Sequence, residues 1–96
     1  MTIYNIICLD EGVAGNPPYI KFIESFISKK EATIQLNKFV NAYTETDEDS
    51  NNINKNFKIH KWKKDSVTLE HLYLDYYITL DIQESQILLS ELLLKP

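Results

Sequence analysis

The sequence contains no arginine: all ten basic residues are lysine. Arginine's planar guanidinium is the side chain best suited to reading guanine edges and to clamping phosphate with two bonds at once. Its absence, together with 14 acidic residues and a net charge of −4, argues against nucleic acid as a partner. Cysteine is nearly absent too. Cys8 stands alone, so the chain closes no internal disulfide, and its place in the run Ile6-Ile7-Cys8-Leu9 reads as a small buried hydrophobe rather than a reactive thiol. No apolar run approaches the roughly 18 residues that a spanning helix needs. Residues 1–5 lack the basic-then-apolar plan of a secretion signal. A cytoplasmic setting without membrane association is the expectation. The bias towards Lys, Asn and Ile is that of an AT-rich coding sequence, as in many bacteria and their phages.

Sets of residues that carry chemistry are equally scarce. His60 and His71 are the only histidines, and with Cys8 and Asp75 they show no paired metal-ligand spacing. The loop over 10–19 holds both glycines, Gly12 and Gly15, followed by Asn16, Pro17, Pro18 and Tyr19, but it lacks a GKS or GKT ending and a G-x-G-x-x-G pattern. Asp10 and Glu11 beside it would repel phosphate. The stretch Asp47-Glu48-Asp49-Ser50-Asn51 resembles the opening of a calcium-binding loop, yet Asn52 stands where the turn glycine belongs and Lys58 where the closing glutamate belongs. Neither a metal, a cofactor nor an enzymatic activity is expected.

What is present is enough apolar material for one domain over 1–96, with 44% hydrophobic residues. Residues 2–9 are β-branched and read as a buried strand. Residues 19–27 fit either a strand or a helix capped by Asn16 with Pro17 at its first position, and the strand is preferred because Ser28 starts a separate helix. Ser28-Lys29-Lys30-Glu31 is a capping box, and Ala32, Leu36, Phe39, Val40 and Tyr43 behind it form one stripe of a helix over 29–43. The polar segment 44–56 reads as a surface loop, and 57–63 as a strand. From Leu72 to Ile82 every even position is apolar, which has the period of a strand. Val67 and Leu69 have the opposite parity, so a bulge or bend is required near Glu70-His71; a helix over 66–73 is the competing interpretation. Ser85 followed by a leucine-rich run predicts a short C-terminal helix over 85–95. The expected fold is α+β, a small antiparallel sheet in the order β-β-α-β-β-α packed against one main helix and that short one.

Four groups are candidates for contact with a partner. The acidic loop offers Glu45, Asp47, Glu48 and Asp49. The basic run places Lys58, His60, Trp62 and Lys64 on one strand face if Phe57 and Ile59 face the core. Tyr73 and Tyr77 share a strand face with Asp75 and Thr79 by the same parity, and Gly12, Gly15, Asn16, Pro17, Pro18 and Tyr19 form a stiffened loop. The expectation is a non-enzymatic acidic binding protein that blocks or masks a protein partner, as inhibitors, immunity proteins and anti-defence proteins do. The alternative is an oligomer that binds a small molecule or nucleotide through the loop over 10–19. The leucine-rich segment containing Leu88 and Leu92 suggests a homodimer in either case.

Overall fold

The structure, a computed structural model, describes residues 1–13, 17–45 and 55–86. The elements are β1 (Thr2–Val13), β2 (Tyr19–Phe26), α1 (Lys29–Thr44), β3 (Phe57–Lys63), β4 (Ser66–His71) and β5 (Tyr76–Gln86). The strands form one antiparallel five-stranded sheet in the order β2-β1-β5-β4-β3. The observed order is therefore β-β-α-β-β-β, not β-β-α-β-β-α. Ser85, expected to cap a helix, pairs with Ile3, and Gln86 pairs with Thr2. Positions 87–95 of the expected helix, and with them the leucine-mediated homodimer, lie outside the described residues. No described helix is long and apolar enough to cross a membrane.

The helix forms where its capping box predicts. Ser28 is extended and its hydroxyl accepts from the Glu31 amide at 3.3 Å. Ala32, Leu36, Val40 and Tyr43 recur at 3–4-residue spacing and are all buried. They pack on one sheet face made by Ile6 and Cys8 of β1, Val67 and Leu69 of β4, and Tyr76, Ile78 and Leu80 of β5. Phe22 and Phe26 of β2 close the core on one side, where Phe22 meets Phe39 at 4.9 Å between ring centres.

Residues opposed across a ladder share a face, so the registers also define the second face. It carries Asn5, Ile7 and Leu9 of β1, Ile20, Ile23 and Ser25 of β2, Tyr77, Thr79, Asp81 and Gln83 of β5, and Ser66, Thr68 and Glu70 of β4. No described element covers it. It is apolar at the β2 edge, neutral and hydrogen-bonded in the middle, and lysine-rich at the β3 edge. The middle is a ladder of small polar groups: Ser25 donates to Asn5 at 2.6 Å, and Asn5 donates to Ser85 at 2.9 Å.

Three bulges and one turn depart from the simple alternation. Two of the bulges lie on edge strands, where an extra residue disturbs only one ladder; the third is in β1, where the register against β5 shifts between Asp10 and Val13 around Gly12. In β2 the register shifts between the partners of Cys8 and Leu9, so Lys21 is the extra residue. It turns to the helix side, with its Nζ 5.5 Å from the Tyr43 ring centre. In β3 the shift falls between Ile59 and Lys61, leaving His60 without an opposite residue. The apparent strand from Leu72 onward is interrupted: β4 ends at His71, residues 72–75 bend, and β5 begins at Tyr76. That bend absorbs the parity switch, and it excludes the competing helix over 66–73. At the other end β1 runs on through Val13, so Asp10, Glu11 and Gly12 belong to the strand rather than to the loop.

Leu69 and Ile78 oppose each other with no exposure. Truncating either to Ala is expected to cost about 2–5 kcal/mol in urea denaturation. Ile20→Ala, on the uncovered face, is expected to change stability by only about 0.5 kcal/mol or less.

Candidate functional site

The end of the sheet where β1 leaves and β2 enters is organised around a buried carboxylate. Asp10 is 2% exposed and sits on the helix side of β1. Its Oδ2 accepts from the Tyr19 hydroxyl at 3.1 Å and from the Tyr76 hydroxyl, and its Oδ1 accepts from the Gly12 amide at 2.8 Å. Gly12 has φ of 80°, a conformation open to glycine without steric cost, and this turns its amide back onto Asp10. Burial and the bond to Asp10 push the Tyr76 hydroxyl well above its ordinary pKa, and the bond to Asp10 also raises that of Tyr19. Both phenols therefore act as proton donors throughout the neutral range. Alongside, Cys8 and Tyr43 hydrogen-bond to each other, and burial pushes the Cys8 thiol up to about 11. A thiol so held is inert at neutral pH.

A second anchor lies across the same end. Asn56, with φ of 69°, occupies the left-handed region that asparagine tolerates better than most residues. Its amide donates to the Glu45 carbonyl at 3.4 Å, and its carbonyl accepts from the Leu72 amide at 2.8 Å. The helix terminus, the start of β3 and the bend after β4 are thus tied at one point, with Lys55 paired to Glu45 at 3.6 Å. His71 completes the bend. Its Nδ1 accepts from the amides of Tyr73 and Leu74 at 3.1 and 3.2 Å, and its ring stacks on Tyr76 and meets Phe57 edge-on. Burial holds the His71 pKa below its ordinary value.

These two anchors leave Tyr19, Leu72, Tyr73 and Leu74 projecting outward, with Tyr73 75% exposed. Pro17 and Pro18 are exposed beside Tyr19, and Glu11, Glu45 and Asp75, in segments that meet at this end, are also exposed. The candidate site is this apolar, acid-rimmed end of the sheet. Of the predicted contact residues it gathers Tyr73, Glu45, Gly12, Pro17, Pro18 and Tyr19. Gly15, Asn16, Asp47, Glu48 and Asp49 lie outside the described residues. Leu72 and Leu74, read from sequence as core positions, belong to this surface instead.

The remaining predicted residues lie elsewhere. Lys58, His60 and Tyr77 meet on the uncovered face around Glu70. Glu70 accepts from the Tyr77 hydroxyl at 2.9 Å and pairs with Lys58 at 3.1 Å and with His60 Nδ1 at 3.5 Å. These contacts, the Tyr77 bond foremost, hold the Glu70 pKa below its ordinary value and raise that of Tyr77. Trp62 does not join them, contrary to the simple alternation. The extra residue at His60 reverses the parity of β3, so Trp62 opposes the buried Val67 and shares the helix-side face with Phe57 and Ile59. It remains 43% exposed because the sheet edge extends past its cover. Lys64 lies beyond the end of β3, in the tight turn to β4 at the opposite pole of the molecule. Tyr73 and Asp75 are in the bend rather than on a strand, so they do not share the face of Tyr77. Among the described residues, no three His, Cys, Asp or Glu side chains converge on a metal position.

The fold defines a class, a small α+β protein with one helix on a five-stranded antiparallel sheet. The chain matches no known protein family, no curated protein and no solved structure.

The anchors predict two separate acid transitions. The folded pKa of His71 lies below its free value of 6.5, so its stabilising contribution is complete above that pH and is lost as the pH falls through the folded value. Glu70 titrates lower. Its contribution is complete above 4.5 and is lost as the pH falls through its depressed folded value. Urea midpoints measured against pH should therefore flatten just below pH 6.5 in His71→Gln. In Glu70→Gln they should flatten only below pH 4.5.

Proposed function

We propose that the chain is a non-enzymatic binding protein that masks a basic surface on a protein partner, in the manner of an inhibitor, immunity or anti-defence protein. The observation that carries this reading is the composition of the loop end. Exposed Tyr19, Leu72, Tyr73 and Leu74 are carried by segments tied together at this end, which also carry the exposed carboxylates of Glu11, Glu45 and Asp75. Aromatic and aliphatic anchors surrounded by polar groups are the usual make-up of a protein-binding patch. The patch is also held rigid, because Asp10 fixes Tyr19 and His71 fixes the bend that carries Tyr73. Rigid anchors lose little conformational entropy on binding. The acidic rim favours a partner of opposite charge and speeds its approach.

The alternative, a nucleotide or small-molecule site in the loop over 10–19, has less support. The Gly12 amide, the group that would face a phosphate, is already bonded to a buried carboxylate.

A partner recovered with the chain from its native cell and identified provides the test. Tyr73→Ala combined with Leu72→Ser is expected to weaken its binding at least tenfold in calorimetry, about 1.4 kcal/mol, without lowering the melting temperature. Lys63→Ala combined with Lys64→Ala, at the opposite pole, is expected to bind as the parent does. Equal loss from both pairs, or a melting-temperature rise with a nucleotide and none with a protein, would overturn the reading.

A further inference from the structure

The two edges of the sheet are built differently. The β3 edge carries Lys58, Lys61 and Lys63 and a bulge at His60, devices that discourage another strand from pairing. The β2 edge is guarded over its regular part by one charge, Glu24, and by no lysine or bulge. Its bulge lies at Lys21, near the start of the strand, and the residues beyond it, 22–26, run in unbroken register along β1. Ile20 and Ile23, on the uncovered face of this strand, are 58% and 56% exposed, and Ile27 just past its end is 74% exposed. On the same face Ile23 opposes Ile7, and Ile20 opposes Leu9. An apolar row thus runs outward across β1 and stops at an edge that no described residue covers.

We propose that β2 pairs antiparallel with β2 of a second copy of this chain, giving a continuous ten-stranded sheet about a two-fold axis at Ile23. A two-fold axis normal to an antiparallel ladder must place some residue opposite itself. Centred on Glu24, it would set like charges face to face, which is destabilising. Centred on Phe22, it would oppose Ile23 to Lys21 and break the apolar row. Centred on Ile23, it opposes Ile23 to Ile23, Phe22 to Glu24, and Lys21 to Ser25. No charge then meets its like, and each Glu24 lies one position along the strand from the opposite copy's Lys21. The row Ile7–Ile23 continues into the partner's Ile23–Ile7, which removes the exposed isoleucines from water. A second copy satisfies the geometry because the strand is self-complementary in charge and apolar placement only in this register. The antiparallel arrangement sends the two loop ends to opposite ends of the joint sheet, so both stay open.

The full-length chain is expected to sediment as a dimer at micromolar concentration. Ile23→Lys is expected to make it monomeric with an unchanged circular-dichroism spectrum, since the side chain is already largely in water. Ile59→Lys, on the guarded edge, is expected to leave it dimeric. The register has its own readout. Directly opposed residues bring their Cα atoms within disulfide range, and Cys8 is buried and inert. The I23C variant should therefore form a covalent dimer under mild oxidation, and the I59C variant should not. A monomeric parent chain would overturn the proposal. So would a dimer that survives Ile23→Lys but is lost on Leu88→Lys with Leu92→Lys.

Discussion

One helix of 16 residues can seal only one face of a five-stranded sheet. The division of residues among the described strands follows from that constraint. The face under α1 takes Ile6, Cys8, Val67, Leu69, Ile78 and Leu80, none of which touches water. The other face must be stable without cover from any described element. It meets that demand with side chains that bond to one another, such as the Ser25–Asn5–Ser85 row, and with cross-strand charge pairs around Glu70. Only towards β2 does it turn apolar.

The polar groups on the helix side obey the opposite demand, since a buried polar atom must be fully bonded. Asp10 accepts three donors, His71 accepts two amides, and among the described residues no buried side-chain nitrogen or oxygen lacks a partner. Both residues sit where the core reaches the loop end. The interior therefore extends into the connections there as a hydrogen-bonded frame, and the outward side chains inherit its rigidity.

The helix was legible from its cap and its stripe, and β3 from its alternation, because both signals are local. A bend was legible from the parity switch near Glu70-His71, but its place over 72–75 was not, for a physical reason. Turns usually announce themselves with glycine, proline, asparagine or aspartate; this one holds only Asp75, at its last position, and a histidine ring supplies the acceptor that bends the backbone. Leucine and tyrosine can then occupy the turn and continue the apolar parity of the strand that follows. The bulges at Lys21 and His60 leave no mark in composition, yet one of them decides the side of the sheet on which Trp62 lies. Ser85 misleads because a serine after Gln83-Glu84 suits a helix cap and a polar strand face alike. The site was legible in pieces: Tyr73, Glu45 and the loop over 10–19 could be chosen individually. Their convergence depends on bonds between Asp10 and Tyr76 and between Asn56 and Leu72, which no short-range pattern encodes.

The position of β1 has a consequence for how the chain reaches this state. As the first strand made, it can form a hairpin with β2 at once, and α1 can follow. But the floor on which α1 rests includes β5, whose last residue bonds to Thr2 across 84 positions of sequence. Closing so long a loop carries an entropic cost that only the finished core repays, which slows folding. During synthesis the apolar side of the first hairpin must wait, half covered, until Ile78 and Leu80 emerge. A nascent chain halted before β5 would expose Ile6 and Cys8 to any chaperone or neighbouring strand within reach.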